Sequence, residues 1–152
     1  MTISKRSLLI AALLAGSALS AFAQPTSPTG VWKTIDDSTK KEKSLVRIVE
    51  ANGVYTGKVD KLLDPDTPKD ATCKDCSDER KDKPILGMTI IRNMKQSADD
   101  KAVFEGGDIL DPNNGKVYKA KMKLIDNGSK LEVRGFIGIS LLGRTQTWIR
   151  VE

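Results

Sequence analysis

Two cysteines, a scatter of carboxylates and the absence of histidine define what chemistry this chain can do. Cys73-Lys-Asp-Cys76 is the cysteine pair. Three chemistries fit the spacing. A local disulfide would staple the surrounding segment, as cysteines of exported proteins usually do. A thioredoxin-like redox pair needs its first cysteine at a helix N-terminus, and no helical period surrounds this one. A zinc site needs four ligands, so two thiolates would have to recruit carboxylates such as Asp75 and Asp78. The disulfide is the first expectation, and no metal is assigned. Asp64, Asp66 and Asp70 add oxygens that calcium can use, but lysines interleave them and no EF-hand spacing is present. Without histidine, Ser-His-Asp and Cys-His catalysis, histidine-ligated metals and a histidine pH switch are all excluded. A catalytic base would have to be an Asp, Glu or Lys with a shifted pKa in a cleft, and no pair marks such a place. The expectation is a non-enzyme without a cofactor.

The cysteine argument depends on compartment, which the N-terminus addresses. Lys5 and Arg6 precede an apolar run from Leu8 to Leu19, and Ala21-Phe-Ala23 is a small-x-small cleavage site. This is the pattern of a secretory signal over residues 1–23. Gln24 stands where a lipoprotein would need cysteine, and no later stretch approaches the ~20 apolar residues of a membrane helix. A soluble exported protein is therefore expected, in the bacterial periplasm or secreted. Loss of Lys5 and Arg6 lowers the formal charge of +5 by two. The remaining bases are mixed with acids along the chain, which argues against nucleic acid as a partner.

Residues 24–152 are one domain's worth of chain. A polar leader over 24–29 is expected to be extended. Apolar alternation then marks strands from Gly30, Leu45, Val54, Ile85, Ala102, Lys116, Lys130 and Arg144. Lys116–Ile125 shows it best: Tyr118, Ala120, Met122 and Leu124 share one face, with Lys119, Lys121 and Lys123 on the other. Asn52-Gly53, Asp111-Pro-Asn-Asn-Gly115 and Asp126-Asn-Gly128 are turn signals. The segment 64–84 breaks the rhythm with three prolines, both cysteines and many charges. It reads as a long excursion over the barrel surface or mouth. Eight strands joined mostly by hairpin turns predict an all-β, up-and-down antiparallel barrel, which leaves no exposed edge.

Gly30-x-Trp32 opens the first strand, and Arg144 and Arg150 flank Trp148 on the last. This resembles the lipocalin-like calycin barrels, in which a tryptophan near the start packs under a cation of the final strand and closes the barrel base. A guanidinium stacks well on an indole face. The resemblance implies antiparallel first and last strands, with Arg150 the first choice of cation and Arg144 the alternate. A more specific resemblance covers essentially the whole chain after residue 23 and includes Gly30-x-Trp32. Lys83-Pro-Ile-Leu-Gly87, Gly106-Gly-Asp-Ile-Leu-Asp-Pro-Asn-Asn-Gly-Lys-Val-Tyr-Lys119 and Val133-Arg-Gly-Phe-Ile-Gly-Ile-Ser-Leu-Leu-Gly-Arg-Thr-Gln-Thr-Trp148 are similar to DUF2147, a bacterial exported family. It implies a small lipocalin-like barrel and no particular activity.

Such a barrel either holds a small ligand or is packed solid. In the first case the ligand is small and mostly apolar, and Tyr118, Met122, Val133 and Phe136 are its expected contacts. In the second, the chain is an interaction or structural module of the envelope, touching a partner protein through 64–83 and Leu141-Leu142. The leucine pair is expected to plug one barrel end, with an apolar rim for a ligand or partner as the alternative. A cavity of several hundred Å3 would separate the two functions.

Overall fold

The computed structural model describes residues 26–152. The expected signal sequence and the first two residues of the leader lie outside the described residues. Eight antiparallel strands form a closed barrel in chain order: β1 Gly30–Ile35, β2 Glu42–Ala51, β3 Val54–Leu62, β4 Thr89–Gln96, β5 Val103–Asp111, β6 Lys116–Ile125, β7 Lys130–Phe136 and β8 Arg144–Arg150. Single 3-10 turns at Asp126–Gly128 and Ser140–Leu142 are the helical elements among the described residues.

Strand alternation decides what faces inward. Ala120, Met122 and Leu124 of β6 are buried and pair with Gly135, Val133 and Leu131 of β7. Paired residues share a face of the sheet, so one inward row continues across both strands. Trp148 continues it onto β8, opposite Leu131. At one end of the barrel this row meets Trp32, Phe104 and Met94, all fully buried, and Tyr55 packs edge-on against Phe104 with centroids 4.9 Å apart. This end is the base.

The base is also where the barrel closes. β1 and β8 pair through two positions, Trp32 opposite Arg150 and Lys33 opposite Ile149. The Arg150 guanidinium lies 4.2 Å from the Trp32 ring centroid. It donates to the carbonyls of Gly128, Thr29 and Ser27 at 2.6–2.8 Å. The Trp32 indole N–H donates to the Pro28 carbonyl at 2.7 Å. The leader therefore folds across the base and supplies acceptors to a half-buried cation and a buried indole. Gly30 is needed here on two counts: its φ is +127°, and a side chain would collide with the Glu152 carbonyl.

The connection from β3 to β4 runs along the other end. It is tied down at several points. Cys73 and Cys76 form a disulfide, and both are buried. The disulfide loop docks on the β5–β6 turn. Gly115 has φ +70°, and a side chain there would strike the backbone of Asp75 and Cys76. Arg80, almost fully buried, donates to the Thr89 carbonyl at 2.9 Å and forks onto the Asp78 carboxylate. That contact holds the Asp78 carboxyl down at about 2. Lys43 pairs with the buried carboxylate of Asp64.

The largest boundary difference from the sequence reading is at β4; β2 begins at Glu42, three residues before the expected Leu45, and β5 at Val103, one after Ala102. The fourth strand was expected from Ile85 and begins at Thr89. Pro84 bridges Thr72, the Ile85 N–H donates to Ala71, and Gly87 turns the chain with φ +82°. The apolar run therefore starts in the docked loop, where Ile85 bonds back to Ala71 and Gly87 to Val59 of β3 before the regular ladder of β4 begins.

Candidate functional site

The end opposite the base is open. It contains a cavity of about 520 Å3. Its inner wall is apolar: Val59, Ile90, Leu110, Val133 and Trp148 are buried. These residues lie on β3, β4, β5, β7 and β8, so the closed sheet fixes the wall from nearly every side. Trp148 forms the floor, its indole N–H satisfied by the Gln146 amide oxygen at 3.0 Å. Thr34 and Ser44 exchange a hydroxyl contact at 2.9 Å on the β1–β2 side. Ile85 and Thr67 reach in from the docked loop, and Tyr118, Phe136 and Ile137 border the lip.

The lip is charged. Asp36, Asp37, Lys43, Asp111 and Arg144 all border the opening. Hydrogen bonds from Thr39 to the Asp36 carboxylate lower its pKa. The Arg144 guanidinium grips Asp37 with two bonds, 2.5 and 3.1 Å, and lowers its pKa in turn. This pair joins the loop after β1 to the start of β8, beyond the point where the two strands cease to pair. The barrel seam is thus made by backbone bonds at the base and by an ion pair at the mouth.

The residues singled out in the sequence divide between the ends. Tyr118, Val133, Phe136 and Leu142 border the cavity. Met122 is fully buried but lies among the base residues, opposite Val133 and Phe104, and is not part of the cavity wall. Leu141 is 85% exposed and Leu142 78% exposed, so the pair is a rim and does not plug the barrel. Of the two arginines considered for the base, Arg150 lies over Trp32, while Arg144 stands at the mouth. Trp148, grouped with the closure residues, is instead the cavity floor. Sequence reasoning did not name Val59, Ile90, Ile109 or Leu110; alternation could have found Ile109, which pairs with Tyr118, but it assigns its neighbour Leu110 to the opposite face. It also did not name Asp36, Asp37 and Lys43, which sit in and beside the polar connection between β1 and β2.

A closed eight-stranded antiparallel barrel with one packed end and one hollow end is the architecture of a lipocalin-like protein. The chain belongs to the DUF2147 family, described as an uncharacterized protein conserved in bacteria, whose model matches residues 30–150. A solved structure with the same fold is protein HP1028 of Helicobacter pylori, described as belonging to the lipocalin family. The two are 21% identical, and the match covers 83% of this chain and 84% of that one with a TM-score of 0.71. Among curated proteins nothing matches. Among the described residues no helix is long and apolar enough to cross a membrane.

Proposed function

We propose that this protein is a non-catalytic binding protein of the bacterial envelope, exported to the periplasm, that carries a small, mostly apolar ligand in the open end of its barrel. The carrying observation is the 520 Å3 cavity, apolar at depth and polar at the lip. Its size lies within the range of small-molecule sites, and its arrangement suits a ligand with an apolar body and a polar end at the opening. The cavity favours this reading over a solidly packed interaction module. The buried disulfide and the bacterial family fit export. The lip carboxylates Asp36 and Asp37 have lowered pKa values. Both therefore stay ionised at neutral pH and neither supplies a proton there as a general acid.

Native mass spectrometry of protein taken from its own periplasm tests the proposal together with titration by the uncharged fluorophore N-phenylnaphthylamine. A co-purifying mass or saturable fluorescence is expected, and Leu62→Trp, which fills the mouth, should abolish it. A bare mass with no response to the fluorophore would overturn the reading.

A further inference from the structure

The corner between β7 and β8 concentrates exposed apolar surface beside the cavity mouth. Ile137, Ile139, Leu141 and Leu142 are 69%, 59%, 85% and 78% exposed. No charged side chain occurs from Phe136 to Gly143. A contiguous group of this kind marks a contact surface more often than a solvated loop.

Part of the backbone beneath those side chains is bonded within the corner. The Leu142 and Gly143 N–H groups donate to the carbonyls of Ile139 and Ser140, both at 3.2 Å. Arg134 of β7 donates from Nε to the Ser140 carbonyl at 2.6 Å and from Nη2 to the Leu141 carbonyl at 3.2 Å. Its Nη1 donates to the Thr145 hydroxyl at 2.7 Å. The corner turns apolar side chains outward while the carbonyls of Ile139, Ser140 and Leu141 are capped from behind. Capping those carbonyls lowers the cost of seating the tip at a lipid interface, where water is scarce. The three partners of Arg134 are neutral oxygens, so its positive charge remains uncancelled just behind the apolar tip. That is where phosphate groups would lie if the tip entered a bilayer, and cations near anionic lipid surfaces are attracted to them.

We propose that the β7–β8 corner inserts into an anionic lipid surface, with Ile139, Leu141 and Leu142 at the acyl boundary and Arg134 at headgroup level. Ile137 and Leu142 also border the cavity, so insertion sets the mouth against the lipid. The inference stands on the corner itself and does not require that the cavity be filled.

Flotation of residues 24–152 with phosphatidylcholine vesicles, with and without phosphatidylglycerol, is the test. Binding to the phosphatidylglycerol vesicles is expected, weakening as salt rises. Ile139→Ser with Leu141→Ser, neither of which lines the cavity, should reduce vesicle partitioning by about tenfold or more. The same variant should keep the melting temperature and the affinity for N-phenylnaphthylamine in solution. Absence of vesicle binding, or equal binding by the variant, would overturn the proposal. Equal binding to both vesicle types would overturn the anionic assignment. A dimer in solution that the double substitution dissolves, without vesicle binding, would assign the corner to a second copy instead. Vesicle binding without fluorophore binding would leave this proposal standing and remove the one on the cavity.

Discussion

The two ends of the barrel solve opposite problems. At the base, β1 and β8 are joined by backbone pairing, and Trp32, Phe104, Met122 and Leu131 leave no exposed surface. The Arg150 cation there is held by three carbonyls and an indole face. At the mouth the same strands part, and the wall is held by the ion pairs of Arg144 with Asp37 and Lys43 with Asp64, by the docked disulfide loop and by the Arg80 bond to the Thr89 carbonyl. Packing is strong and insensitive to charge state. Ion pairs near water are individually weak but leave the interior between them unfilled. The difference teaches that this barrel places its stability at one end and its free volume at the other.

The sharpest way to break the comparison is Trp32→Ala. Truncating a buried tryptophan typically costs about 3–5 kcal/mol, a large share of the ~5–15 kcal/mol that holds a small domain. Urea denaturation should show either an unfolded protein or a midpoint shifted far down. A small shift would mean that the base does not carry the fold.

Removing the disulfide comes next. Cys73→Ala with Cys76→Ala frees a short ring, and chain entropy sets the loss at about 2 kcal/mol. Because the ring docks on the β5–β6 turn, amide exchange should quicken at Asn113 and Asn114 before it does around Trp32. Uniform acceleration would contradict a mouth that loosens by itself.

Acid should separate the ends in the same order. The Asp78 carboxyl falls from 3.8 to about 2 in the folded protein because Arg80 binds its ionised form. Lys43 and Arg144 lower Asp64 and Asp37. A depressed folded pKa contributes stability above the unfolded value, and that stability is lost as pH falls through the folded one. The mouth should therefore loosen between about pH 4 and pH 2. The carbonyls around Arg150 do not titrate, so the base should hold longer. Amide exchange at the two ends across that range checks it, and simultaneous loss would count against the division.

The smallest effects belong to the surface. Arg144→Ala removes an exposed pair and should cost no more than about 1 kcal/mol. Lys121→Ala, whose contact with Glu105 at 3.3 Å is also exposed, should be nearly silent in denaturation. A large effect from either would move the seat of stability away from the base.

The sequence made the fold legible because the signals were local. Alternation in β6 and β7 fixed which face is buried, and Asn52-Gly53 marked its hairpin through residues that accept positive φ, +52° and +78° here. The start of β4 was misjudged because Ile85 and Leu86 read like strand, while the bonds to Ala71 and Val59 that hold this segment come from residues far back in the chain. The cavity was half legible. Tyr118 and Val133 follow from alternation, but the depth at which the core stops does not. Met122 and Val133 stand opposite each other in the sheet, yet Met122 packs in the base and Val133 borders the hollow. The mouth carboxylates were illegible for a different reason. Asp36 and Asp37 lie in a polar loop, and only the closed barrel brings Asp37 to Arg144, 107 residues away.

The two tryptophans allow a direct reading of the central claim, because one borders the hollow and the other does not: Trp148 is at the cavity floor and Trp32 in the sealed base. Titrating isotope-labelled protein with N-phenylnaphthylamine and following the two indole N–H signals by NMR separates them. The Trp148 signal, bonded to Gln146, should move with saturation, and the Trp32 signal, bonded to the Pro28 carbonyl, should stay fixed. Movement of Trp32 with Trp148 unchanged, or movement of neither at saturating fluorophore, would contradict a ligand site in the open end.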